Sequence, residues 1–176
     1  MSRVLITGSA DGLGKMAAQL LVGQGHRVVL HARNAKRTKE ALAAVPGAEM
    51  AVTGDLSSIS ETRAVAEQAN RLGRFDAVIH NAAVGYSEKK RIDTRDGLPH
   101  VFATNTLAPY ILTALIERPK RLIYISSGLH RDESGRKHFS RGHAVVENGS
   151  HGQMKLTRRI LHRRPNSFGR VIFFGG

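Results

Sequence analysis

A chain of 176 residues, 41% apolar and 23% charged, has the size of one domain and the balance of a soluble globular protein. No apolar run approaches the roughly 20 residues of a membrane span, the opening MSRVLITGSADG lacks a secretory leader's apolar stretch, and the absence of cysteine excludes disulfides and thiolate-held metals. The expectation is a cytoplasmic protein with no membrane partner.

The formal charge of +13 is uneven, since residues 1–130 carry 17 Lys and Arg against 11 Asp and Glu, while residues 131–176 carry 10 against 3. A basic block favours nucleic acid at low salt. Here the cations are not interleaved with aromatics and no nucleic-acid motif accompanies them, which disfavours that partner.

In chain order, Arg3–Thr7 (RVLIT) reads as a buried strand running into a glycine cluster. Leu13, Ala17, Leu20 and Gln24 then recur at helical spacing until Gly25 stops them. Arg27–His31 reads as the second strand, Lys36–Val45 as a helix closed by Pro46-Gly47, and Ala48–Thr53 as the third strand. Ser58-Ile59-Ser60-Glu61 has the form of a capping box opening a helix to about Leu72. Asp76–His80 is the fourth predicted strand. Beyond the polar stretch Ser87–Gly97, a long helical pattern places Val101, Asn105, Ala108, Leu112 and Leu115 on one face, with Pro109 as a kink. Arg121–Ser126 is the fifth strand. Residues 128–152, rich in Gly, His and charge, read as a long loop carrying a short strand or helix. Gln153–Arg163 reads as a helix stopped by Pro165, and Arg170–Phe174 as a sixth strand. Strands alternating with helices imply an α/β fold, a Rossmann-type doubly wound parallel sheet of about six strands that is truncated after the sixth.

Such sheets bind ligands beyond the carboxyl ends of their strands, so the chemistry is sought in those loops. Thr7-Gly8-Ser9-Ala10-Asp11-Gly12-Leu13-Gly14 follows a strand and opens a helix. Its glycines let the backbone turn and approach a pyrophosphate, whose charge meets N–H groups at the helix start. After the second strand, a carboxylate would clasp the adenosine ribose hydroxyls. The chain instead has Ala32-Arg33-Asn34 with Lys36 and Arg37 behind, and a planar guanidinium suits a 2′-phosphate. NADP(H) is therefore the preferred cofactor, with NAD(H) the alternative. Asp55-Leu56 follows the third strand, where the carboxylate either accepts from the adenine amino group or serves as a turn or cap residue for the next helix. The small residues of His80-Asn81-Ala82-Ala83-Val84-Gly85 let backbone lie against a flat adenosine, and Asn81 can tie neighbouring strands. Residues 1–176 read as a single dinucleotide-binding domain, with a nucleotide core over 1–130 and a basic tail over 131–176.

TGSADGLG, Asp55-Leu56, HNAAVG, FATNTLAPYILT and IYISSG, in that order across residues 3–130, resemble the motifs of the short-chain dehydrogenase/reductase family. HNAAVG departs from the family's NNAG at His80 and Ala83. The resemblance implies hydride transfer between a nicotinamide coenzyme and a small-molecule alcohol or carbonyl. It implies that Ser127 polarises the substrate oxygen, that Asn105 orders a water, and that Lys155 holds the nicotinamide ribose. Cofactor contacts would come from Thr7, Gly8, Ser9, Asp11, Gly12, Leu13, Gly14, Arg33, Asp55, Leu56, Asn81, Ala82, Ala83 and Lys155. Association as a homodimer would use the helix of Asn105 and the helix of Lys155.

The family's proton carrier is a tyrosine four residues before the lysine, one helical turn away on the same face. Tyr86, Tyr110 and Tyr124 all precede Ser127, and His151 stands in that place. Imidazole is a competent acid or base, although the lysine charge pushes a histidine toward its neutral form. Two readings follow: an oxidoreductase with His151 as proton donor, or a dinucleotide-binding module without turnover. The change of composition after about Asp132 resembles the product of an altered reading frame or a truncated gene. His138, His143, His151 and His162 lack zinc-site spacing, so no metal is expected.

Overall fold

RVLI, RVVLHA, MAVT and AVIH are runs rich in β-branched residues, and they form β1 (Arg3–Ile6), β2 (Arg27–Ala32), β3 (Met50–Thr53) and β4 (Ala77–His80). The computed structural model describes residues 1–85, 88–127, 143–148, 154–155 and 170–174, and divides the chain into two units, Met1–Lys120 and Arg121–Gly176. In the first unit all four strands are parallel, in the order β3-β2-β1-β4. Helices α1 (Gly12–Gly23), α2 (Ala35–Ala44) and α3 (Ile59–Arg71) join them in turn. This is the Rossmann-type arrangement expected from the sequence.

The path from β1 to β3 steps outward on one side, and α3 then returns the chain to place β4 on the other side of β1. Strand order therefore reverses between β1 and β4. The loops leaving the carboxyl ends of those two strands diverge at that point, which is where open α/β sheets take ligands.

The sheet's interior is apolar. Leu5, Ile6, Val28, Val29 and Leu30 are fully buried, and Val4, Ile6, Val28 and Leu30 pack with Ala18 of α1 and Ala41 of α2. Each large aliphatic side chain so buried contributes about 2 kcal/mol. At the opposite end from the loops, the Glu49 carboxylate accepts hydrogen bonds from both Arg3 and Arg27, and the Arg3 guanidinium lies 5.4 Å over the Phe75 ring.

Caps set the helix starts. The Asn34 side chain accepts from the Arg37 N–H at 2.9 Å, and Ser58 Oγ accepts from the Glu61 N–H at 3.5 Å. Only half of the expected capping box closes, because Glu61 Oε2 accepts from the Asp55 N–H at 2.7 Å.

The long helix is interrupted. α4 (His100–Phe102) leads through a π-helical turn, Ala103–Leu107, into α5 (Ala108–Leu115). Pro109 has no N–H to give the Asn105 carbonyl four residues back, which opens the helical ladder at this point. The wider turn rotates the register, so the buried positions are Ala103, Thr104, Ala108, Leu112 and Ile116. The expected stripe is corrected at both ends: Val101, Asn105 and Leu115 are exposed.

The second unit is built from β5 (Arg121–Ser127), β6 (His143–Asn148), β7 (Met154–Lys155) and β8 (Arg170–Phe174). β8 pairs in parallel with both β5 and β6, and β7 pairs antiparallel with β6, placing Lys155 opposite Glu147. The helix expected over Gln153–Arg163 is thereby corrected at its start, where Met154 and Lys155 are strand. HAVVEN, with two adjacent β-branched valines, supplies the strand against which Met154 and Lys155 pair. Eight strands occur among the described residues, β6 where the loop was expected to carry a short strand or helix and β7 where a helix was expected. No helix among those residues is long and apolar enough to cross a membrane.

Candidate functional site

The loops after β1 and β4 are bound to each other by two side chains. The Thr7 hydroxyl accepts from the Asn81 and Ala82 N–H groups at 3.0 and 3.1 Å. Asn81 Nδ2 donates to the Thr7 and Gly8 carbonyls at 3.0 and 3.2 Å. The tie expected of Asn81 is therefore made. Gly8 has φ +64°, and a Cβ there would sit 2.8 Å from the Ala82 Cα. A Cβ on Gly14 would collide with the Asn81 amide and the Gly8 carbonyl. Both glycines are required by backbone crowding, which brings the start of α1 down onto the crevice.

At that helix start, Asp11 is the N-cap, and its carboxylate accepts from the Gly12 N–H at 2.8 Å. Lys15 and Arg37 stand 3.8 and 3.3 Å away. The Gly12 N–H first, then the two cations, hold Asp11 below the usual carboxylate range. The N–H groups of Leu13 and Gly14 have no hydrogen-bond partner among the described residues, and the space where Gly12 would carry a side chain is open. Unpaired helix-start amides beside open space fit a pyrophosphate. The exposed Asp11 charge opposes one, but two flanking cations offset it.

The cations after β2 differ in availability. Arg37 donates to Glu40 at 2.8 Å and to the Ala10 carbonyl at 3.4 Å, besides pairing with Asp11. Arg33 is exposed and has no partner among the described residues. Ser9 is turned inward: its hydroxyl donates to the Ile6 carbonyl at 2.9 Å and accepts from the His31 N–H at 2.8 Å.

After β3, Asp55 Oδ1 accepts from the Ser57 N–H at 2.9 Å, so the turn-forming role is present. The second carboxylate oxygen has no partner among the described residues and remains available to an amino group. Leu56, beside it, is buried.

One residue that sequence reasoning missed sits between these loops. His31, 3% exposed, accepts from the Gly8 N–H through Nδ1 at 3.0 Å and approaches the Gly54 carbonyl with Nε2 at 2.9 Å. These contacts define the tautomer: Nδ1 bare, Nε2 protonated. Burial is the larger influence and lowers the ring's pKa, opposed by the Gly54 bond and the Asp55 charge. The available signal was a single imidazole inside the apolar run RVVLHA, which needs partners on both nitrogens to be tolerated there.

Asn105 projects from the π-helical turn and grips the loop after β4, accepting from the Val84 N–H and donating to the Val84 carbonyl, both at 2.9 Å. These bonds use one donor and one acceptor site of its amide. His80 is buried on β4 with Nε2 3.1 Å from Thr113 Oγ1 of α5. Burial pushes its pKa down to about 4. Ala82 and Ala83 line the loop between Asn81 and Val84. Ser127 is the last residue of β5, opposite Phe174 of β8, and Lys155 lies in β7. His151 lies outside the described residues.

Residues 2–128 match the family model described as short chain dehydrogenase. The chain is 51% identical over 174 residues to an uncharacterized oxidoreductase of Emericella nidulans, a match covering 97% of this chain, basic tail included, and 64% of the relative. It is 48% identical over 132 residues to the short-chain dehydrogenase chyC of Penicillium rubens, covering 75% of this chain and 50% of the relative. The chain thus spans between half and two thirds of the length of these relatives. Among solved structures, the short-chain dehydrogenase from Sphingobium yanoikuyae in complex with NADPH matches with a TM-score of 0.61 and 26% identity, over 73% of this chain and 54% of that one.

Proposed function

The chain belongs to the short-chain dehydrogenase family, and we propose that it is an NADP(H)-dependent oxidoreductase acting between an alcohol and its carbonyl. The observation that carries this reading is the helix start at Gly12–Gly14, with two unpaired amides, open space in front of Gly12, and the exposed Arg33 guanidinium one loop away. The Leu13 and Gly14 amides hold the pyrophosphate. Arg33 meets the 2′-phosphate as a bidentate donor, and the free oxygen of Asp55 accepts from the adenine amino group. A relative's solved complex with NADPH supports the same choice of coenzyme.

The bound nicotinamide supplies or accepts the hydride. Ser127 donates a hydrogen bond to the substrate oxygen, and His151 gives that oxygen its proton during reduction or removes it during oxidation. Lys155 binds the nicotinamide ribose. Asn105 holds the Val84 loop at the edge of the crevice with one donor and one acceptor of its amide, and the rest of that exposed amide orders a water. The reading extends to a cytoplasmic homodimer.

Titration calorimetry with NADPH and NADH tests the coenzyme assignment. NADPH should bind more tightly, and Arg33→Ala should cost NADPH about tenfold or more while changing NADH by less than about threefold. Equal losses for both coenzymes would remove Arg33 from the 2′-phosphate. Turnover of ketones and aldehydes with NADPH should be present in the wild type and lost in His151→Phe. A variant that still turns over excludes the imidazole as proton carrier.

A further inference from the structure

A buried histidine in a strand is costly unless both ring nitrogens are used, and at His31 both are used by main chain of two different loops. Nδ1 takes the Gly8 N–H at 3.0 Å, and Nε2–H meets the Gly54 carbonyl at 2.9 Å. Gly8 opens the glycine loop after β1, and Gly54 immediately precedes Asp55 in the loop after β3. The His31 main chain adds to the connection. Its N–H donates to Ser9 Oγ at 2.8 Å, and its carbonyl accepts from the Ser9 N–H at 3.2 Å.

We propose that His31 is a positioning residue of the dinucleotide site, an imidazole bridge that fixes the spacing between the pyrophosphate-binding loop and the adenine-binding loop. The inference rests on the dinucleotide reading above. Gly8 is held from two sides: by His31 at its N–H and by Asn81 at its carbonyl. The loop's height above the sheet is therefore set by a strand on either side of β1. With an apolar residue at position 31, the Gly8 N–H and the Gly54 carbonyl would lose their partners in a buried place, and the loops would shift to recover them. The loop after β1 presents the Gly8 N–H and Ser9 hydroxyl to the residue, and the loop after β3 presents the Gly54 carbonyl and the Asp55 carboxylate. Asp55 is the charged group among these, and its charge raises the ring's pKa against burial, the larger effect.

The bridge differs in consequence from Arg33. It supports parts of the site common to both coenzymes, so its loss should weaken both equally. Asparagine offers an oxygen near the Nδ1 position and can keep the Gly8 contact. Phenylalanine fills the space with neither nitrogen.

Calorimetry with NADP+ and NAD+ on wild type, His31→Asn and His31→Phe, each first shown folded by thermal unfolding, decides the matter. His31→Phe should bind both nucleotides about tenfold or more weakly, by equal factors, and His31→Asn, which keeps the Gly8 contact and loses the Gly54 one, should fall between wild type and His31→Phe. Wild-type binding matched by His31→Phe overturns the proposal alone, as does an equal loss in both variants. No heat from either nucleotide with folded wild type overturns the dinucleotide reading and this proposal together. Should His31→Phe fail to fold, His31→Asn decides: a loss by equal factors for both nucleotides supports the bridge, and affinity unchanged from wild type overturns it.

Discussion

Met1–Lys120 and Arg121–Gly176 both pair parallel strands, but the described pairings differ in the distance they span along the chain. In the first unit every step from strand to strand runs through a helix with its own cap, Asp11, Asn34 or Ser58, so each βαβ step is a local construction. In the second, β8 pairs with both β5 and β6, while β6 and β7 form an antiparallel pair. There the ladder joins residues nearly 50 positions apart, as Ile123 with Arg170, and depends on one strand for both parallel pairings. Order made of short steps tolerates local damage, whereas order routed through one strand does not.

The most damaging test of that contrast is a proline at Ile172. This residue pairs with Ile125 of β5 on one side and Ala144 of β6 on the other. Proline removes a ladder donor and restricts the strand at its centre, which a strand paired on both sides does not accommodate. Hydrogen exchange read by mass spectrometry should show protection lost in residues 121–127 and 143–148 and retained in residues 3–6 and 27–32. Protection lost equally in both units would show that the distinction between them is wrong.

Acid should act on the first unit through His80. Its folded pKa of about 4 lies below the unfolded value of 6.5, so between those two values the unfolded chain holds a proton that the folded chain does not. Stability is therefore complete above pH 6.5 and falls as pH drops toward 4, by an amount on the order of 3 kcal/mol. The His31 pKa is lowered too, in the same direction. Urea unfolding of wild type and His80→Asn at pH 7 and pH 4 separates this contribution, because asparagine does not titrate. A pH 4 loss of the same size in both proteins would mean that His80 is not its source.

The legibility of the two units follows the same division. In the first, hydrophobic period and caps specified the strands and helices. The glycine loop and the Asp55 turn were readable because their geometry depends on neighbours in sequence, and Asn81, whose partners are Thr7 and Gly8, through the motif HNAAVG in which it stands. What was not readable depended on distance. The His31 bridge joins loops 23 residues away on either side, and nothing local to RVVLHA reveals them. The exposed flank of the long helix was misassigned because a π-helical turn before Pro109 changes the period from within. In the second unit, Met154–Lys155 carried weak helical periodicity but pairs with β6. Pairing with another strand outweighed a marginal local preference, as strand formation often does.

The smallest effect belongs to Ser58, and it sharpens the claim that the first unit's steps are individually local. Ser58 Oγ accepts from the Glu61 N–H at the start of α3, a contact of 3.5 Å that is at the long limit for a hydrogen bond. Glu61 does not close the box on Ser58 but supports the Asp55 N–H at 2.7 Å, just ahead of the helix. Ser58→Ala therefore removes a weak cap while leaving the Asp55 turn supported, and the loss should be about 1 kcal/mol in urea unfolding. Affinity for NADP+ should change by less than about twofold, since Asp55 keeps its main-chain support. If binding falls as far as it does in His31→Phe, the cap and the adenine loop are one cooperative element, and the first unit is less divisible than its connectivity implies.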